Sequence, residues 1–154
     1  MKVVGVLLLL LAALVGCSSE DGGTGGSGPT TTSTTTPVTG EPASWDLDPD
    51  GAPDASATTF TALVSRLGCN DGETGVVLPP IVEETDDEVV VTFTVEPAGP
   101  GGHTCPGNEP VPSPVHLDRP ISDRVLVDGG CRAPADLPGP LCERNGVRHA
   151  PAGG

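Results

Sequence analysis

The chain has 154 residues, 36% hydrophobic and only 2% aromatic, with 7 Lys+Arg against 21 Asp+Glu and a net charge of −14. Its 22 Gly and 18 Pro make about a quarter of the sequence turn- or linker-forming, which leaves material for one small domain and excludes a large enzyme core. Lys2 is the single lysine, so no cation cluster exists to displace counterions from phosphates, and nucleic acid is excluded as a partner.

Lys2 leads into an apolar run from Val3 to Val15, broken only by Gly5. A membrane-spanning helix needs about 20 such residues, so the run predicts a signal-peptide core, not a permanent span. It ends in Leu14-Val15-Gly16-Cys17, which resembles the bacterial lipobox. The resemblance implies that residues 1–16 are a lipoprotein signal peptide and that Cys17 carries diacylglycerol, the palmitate-type anchor. At about 0.8 kcal/mol per buried methylene, two such chains hold a protein on a bilayer. The expected partner is thus the membrane, through the lipid, and the expected location is the outer face of the cytoplasmic membrane. A plain secretory signal, cut near Ala12 or Gly16, is the alternative.

Ser18 to Ser44 is almost wholly Ser, Thr, Gly, Pro and acid, including Pro29-Thr30-Thr31-Thr32-Ser33-Thr34-Thr35-Thr36-Pro37. Such composition cannot offset an ordering entropy of about 1–2 kcal/mol per residue, so 17–57 is expected to be a lipidated cysteine followed by a disordered tether. Its threonines suit either O-linked sugars or a bare spacer. Asp46-Leu47-Asp48-Pro49-Asp50-Gly51 matches the first half of a calcium loop, with Asp54 at the ninth position. The twelfth position is Ala57 where a bidentate Glu is needed, so an acidic junction is the primary reading and a calcium-dependent module using 46–54 the alternative.

Residues 58–149 read as a small β-rich module, with 150–154 a disordered tail. Between Glu88 and Glu96, Val89, Val91, Phe93 and Val95 fall on one face and Val90, Thr92 and Thr94 on the other. Thr74–Leu78, Pro80–Glu84, Val115–Asp118 and Ser122–Val127 are further strand candidates, flanked by turn residues. Phe60, Leu63, Val64 and Leu67 fit a helical stripe, but the Thr58-Thr59-Phe60-Thr61 entry and Val64 favour a strand ending near Cys69. The acidic Glu83–Glu88 segment reads as a solvated hairpin turn, with a basic-partner or cation patch as the alternative. Short strands at this spacing predict a mostly β fold, a small antiparallel sandwich or open barrel.

Five cysteines minus Cys17 leaves four in an oxidising compartment, hence two disulfides. Sequential pairing, Cys69–Cys105 and Cys131–Cys142, closes loops of about 37 and about 12 residues, worth roughly 4 and roughly 3 kcal/mol in the chain-entropy model. Cys-x2-Cys is absent, which argues against zinc at His103 and Cys105. Nucleophile-elbow, zincin and phosphate-loop motifs are absent too, so no metal, cofactor or catalytic residue is expected. Arg124 beside Asp123 reads as a structural ion pair.

The box at 14–17, the Thr-rich tether, Arg66–Gly75, Thr104-Cys105-Pro106-Gly107-Asn108 and Ser122–Cys131 together resemble small actinobacterial exported lipoproteins. That resemblance implies no assigned reaction or ligand. The expected role is therefore non-catalytic, binding or structural, with an envelope protein or glycan as partner. A secreted hydrolytic or redox enzyme without a recognisable motif is the remaining alternative.

Overall fold

The computed structural model describes residues 39–132 and 134–151. The expected signal peptide 1–16, Cys17, the expected tether up to residue 38 and the end of the expected tail, from 152, lie outside the described residues. Seven strands run in chain order as β1 (Glu41–Leu47), β2 (Thr59–Arg66), β3 (Ile81–Glu84), β4 (Glu88–Val95), β5 (Val111–His116), β6 (Val125–Asp128) and β7 (Val147–His149), with 3-10 turns at Gly129–Cys131 and Gly139–Gly146. They make one sheet in the order β5-β2-β1-β4-β6-β7, with β3 also paired to β4. Among the described residues no helix is long and apolar enough to cross a membrane.

The expected β-rich class is the one observed, and both disulfides have the expected partners, Cys69–Cys105 and Cys131–Cys142. The β4 alternation places Val89, Val91, Phe93 and Val95 in the core at 0–1% exposure. Thr85 N–H donates to the Glu88 carbonyl (2.9 Å), closing the acidic β3–β4 hairpin turn. The favoured strand reading of 60–67 is observed as β2, whose alternate residues Phe60, Ala62 and Val64 join the same core. Val115 of β5 and Leu126 of β6, near opposite ends of the strand order, meet in that one cluster, so the sheet wraps around its core.

Four expectations change. The tether does not extend to residue 57: β1 lies inside that range, central in the sheet, with Trp45 at 1% exposure against Phe60 and Phe93. The sheet is mixed, because β6 runs parallel to β4. Residues 96–124, which include β5, give the chain the length that a parallel crossover requires. Residues 74–78, expected as a strand, make one isolated bridge, Val77 to Val95, and then meet Pro79-Pro80. Finally, β5 begins at Val111 and β6 at Val125, the latter delayed by a turn with Ser122 at φ 53°.

Pro112 and Pro114 sit in β5 without breaking it. Leu117 N–H donates to the Thr58 carbonyl, and by alternation the amides of Val111, Ser113 and Val115 also face β2. The proline nitrogens fall on the free edge, where no donor is needed and unwanted strand pairing is discouraged.

One edge of β4 carries two neighbours in succession, β6 beside Glu88–Val91 and β1 beside Phe93–Val95. Asp128 ends β6 opposite Val91, in the gap where β1 leaves β4. The Trp45 indole donates to the Val91 carbonyl (3.0 Å) across that gap.

Candidate functional site

Three arginines lie deep in this module, and their donors are used differently. Arg66 donates through Nε to the Thr74 carbonyl, through Nη1 to Glu41 and through Nη2 to the Glu96 carbonyl. Arg124 donates through Nε to Ile121, through Nη1 to Glu84 (2.7 Å) and through Nη2 to the carbonyls of Arg119 and Pro120. Its ion-pair partner is therefore Glu84, not the adjacent Asp123; burial raises the Glu84 pKa, and the Arg124 and Asp118 hydrogen bonds outweigh it and hold the carboxyl below its ordinary value. Both arginines are structural staples with every nitrogen occupied.

Arg148, in the middle of β7, differs. Its Nη2 donates to Asp128 Oδ2 (2.8 Å) and to the Leu141 carbonyl (3.1 Å), while Nη1 has no partner among the described residues. Nε is buried and unpaired, 3.7 Å from Asp46 Oδ1, beyond hydrogen-bond range. Asp128 is wholly buried and also accepts from Gly130 N–H (3.0 Å) and, at a long 3.4 Å, from Trp45 N–H. Burial pushes the Asp128 carboxyl up from its ordinary value, and Arg148 opposes that shift. The guanidinium is thus pinned at one nitrogen by a carboxylate fixed in the core.

Its open side faces a cleft of about 270 Å³ between Ser44 and Asp46 of β1, Glu143 and Arg144 of the second 3-10 segment, and Val147 and Arg148. The outer wall is a backbone outlier: Arg144 (φ 53°), Asn145 (φ 58°) and Gly146 (φ 78°) are all left-handed. Two successive non-glycine residues there cost on the order of 1–3 kcal/mol each. The neighbouring Cys131–Cys142 bridge stiffens this turn, and Gly146 is packed so closely that a Cβ would stand 2.7 Å from Cys131 Cβ. Strain of this kind gathers at sites where a precise surface is maintained.

The residues singled out from sequence fall elsewhere. All four module cysteines are consumed in bridges, so Cys105 offers no thiol to His103. His103 instead contacts Asp71 Oδ2 through Nδ1 (2.8 Å) and the Gly99 carbonyl through Nε2 (2.9 Å). The calcium-loop segment does not converge: Asp46 is a strand residue opposite Leu63, Asp48 accepts from Asp50 N–H, and Asp54 accepts from Ser56. Among the described residues no group of three His, Cys, Asp or Glu side chains is arranged to hold a metal. The acidic hairpin turn is partly neutralised from within, Arg119 pairing with Asp86 and Arg132 with Glu88.

Fold and cleft together define a disulfide-stapled, mostly β module with a pinned arginine at an open surface. No protein-family model, no curated protein and no solved structure matches the chain.

Proposed function

We propose that this chain is a lipid-anchored protein of the cell envelope, carried on the outer face of the cytoplasmic membrane through Cys17, and that its module acts by binding and not by catalysis. The cleft at Arg148 is its binding surface. One observation carries the binding role: among the described residues Arg148 alone of the three arginines keeps Nε and Nη1 without a hydrogen bond, with Asp46 only an ion-pair neighbour of Nε at 3.7 Å, and it is the one that lines a cleft. Unsatisfied donors on a side chain held rigidly from behind are what a recognition site requires. The anchor is supported by the Leu14-Val15-Gly16-Cys17 box and by cysteine arithmetic, since the other four cysteines complete both bridges without Cys17.

Two experiments test the reading. Metabolic labelling with a tagged fatty acid is expected to mark the full-length protein in the membrane fraction, and Cys17→Ala to abolish both label and fractionation. Immobilised mature chain is expected to retain an envelope component that Arg144→Ala and Asp46→Asn, both at the cleft, release. Equal retention by those variants removes the cleft from the proposal.

A further inference from the structure

Resting on that binding role, we infer that the Arg148 cleft takes a small zwitterion, a free amino acid or short peptide whose carboxylate and ammonium are both recognised. The cleft offers Arg148 and Arg144 as cations and Asp46 and Glu143 as anions, while Asp128 is already occupied behind Arg148. A simple anion would meet two carboxylates and approach a chain of net charge −14. A simple cation would meet two guanidinium groups. An apolar ligand would strip water from all four without replacing its hydrogen bonds. A ligand bearing both signs satisfies both sets at once.

The side chains are free to do this. Asp46 and Glu143 accept no hydrogen bond among the described residues; Asp46, its side chain 77% exposed, is held only by a loose 3.7 Å ion pair to Arg148 Nε, and Arg144 only by one 3.3 Å hydrogen bond from Nη2 to the Val147 carbonyl. Arg148 Nη1 lies on the same guanidinium plane that Asp128 orients, which suits a carboxylate, for which planar donors are the matched partner. Size and lining narrow the class further. About 270 Å³ is just below the usual range for drug-sized ligands, which suits a small molecule. All three aromatics, Trp45, Phe60 and Phe93, are in the core, so no ring is present at the cleft to stack a sugar or a base.

The test uses the ¹⁵N-labelled mature chain with Cys17→Ser, titrated with alanyl-alanine, its N-acetyl derivative and its C-terminal amide. Binding of the free dipeptide is expected to shift amides of 44–46 and 141–148, with each blocked form at least tenfold weaker. Asp46→Asn is expected to erase discrimination against the N-acetyl form, and Arg144→Ala to weaken discrimination against the amide while Arg148 Nη1 keeps the rest, both at exposed positions that leave the Asp128–Arg148 pair intact. Equal binding of all three peptides, or shifts outside the cleft, overturns the zwitterion. Absence of any shift also overturns it, and the envelope-retention experiment then reports separately whether the cleft binds something else.

Discussion

His103 and Asp71 meet with the imidazole Nδ1 2.8 Å from Asp71 Oδ2, while Nε2 stands 2.9 Å from the Gly99 carbonyl. A carbonyl only accepts, and so does an ionised carboxylate, so both ring nitrogens must carry protons for both bonds to exist. The contact therefore selects the imidazolium. Asp71 also accepts from Thr104 N–H and Oγ1, which ties the 99–104 loop to the 69–75 turn beside the Cys69–Cys105 bridge.

The pH dependence follows from the two shifts. The Gly99 carbonyl and Asp71 raise the His103 pKa above its ordinary 6.5, against desolvation and the Arg66 charge. Hydrogen bonds from His103 and Thr104 lower Asp71 from 3.8 to about 2. For histidine, a raised folded value contributes stability that is complete below 6.5 and is lost as pH rises through the folded value. For Asp71 the contribution is present above 3.8 and is lost as pH falls toward about 2. The loop should be held most firmly between about pH 4 and pH 6.5. Long-range ¹H–¹⁵N spectra are expected to give a His103 midpoint above 6.5, which Asp71→Asn lowers. A wild-type midpoint below 6.5 contradicts the assignment.

Asp128 joins three parts of the fold through three donors, Trp45 N–H, Gly130 N–H and Arg148 Nη2. Asp128→Ala removes all three acceptor contacts and leaves a largely buried guanidinium without its counter-charge. Breaking one side of a buried pair typically costs about 3–5 kcal/mol. Urea denaturation is expected to show a loss in that range, with Arg148→Met in the Asp128→Ala background recovering part of it. A loss under about 1 kcal/mol would mean that the pair is solvated and the pinned-arginine account is wrong.

Most of what was legible in the sequence is local. The β4 alternation, the acidic hairpin turn and the even cysteine count each depend on residues close together or on arithmetic, and each survives in the structure. Strand β1 was missed because Gly40, Pro42 and the acids after Trp45 resemble linker, although Ala43, Trp45 and Leu47 alternate inward. The parallel β4–β6 pairing and the Arg148 site have no local signature. They arise because Trp45, Asp128 and Arg148, far apart in the chain, meet where β1 leaves β4. The Arg124 partner was misjudged for the same reason, since Glu84 reaches it across forty residues.

The placement of β1 carries its own prediction. Starting the chain at residue 58 removes the strand between β2 and β4 and with it Trp45, whose ring contacts Phe60 and Phe93. Aromatic deletions in cores cost about 3–5 kcal/mol before the lost ladder is counted, comparable to much of a small domain's stability. A chain starting at residue 39 is expected to unfold cooperatively in urea and to give dispersed amide spectra. One starting at residue 58 is expected to give neither. Native-like spectra from the shorter chain would show that β1 is dispensable.

Gly129 and Gly139 offer a matched pair of alanine substitutions. A Cβ at Gly129 would overlap Thr92 Oγ1 and stand 3.1 Å from Val90 Cγ1, because the 3-10 turn after β6 lies flat against the outer face of β4. Gly139, the first residue of the second 3-10 segment, has nothing within 4 Å of the same position. Overpacking of a tight contact typically costs about 1–3 kcal/mol, so Gly129→Ala is expected to lower Tm by several degrees while Gly139→Ala leaves it nearly unchanged. Thr92→Ala removes the overlapping oxygen and should return part of the loss. If Gly129→Ala is neutral, the turn stands off β4, and the alignment that presents Asp128 to Arg148 has been misread.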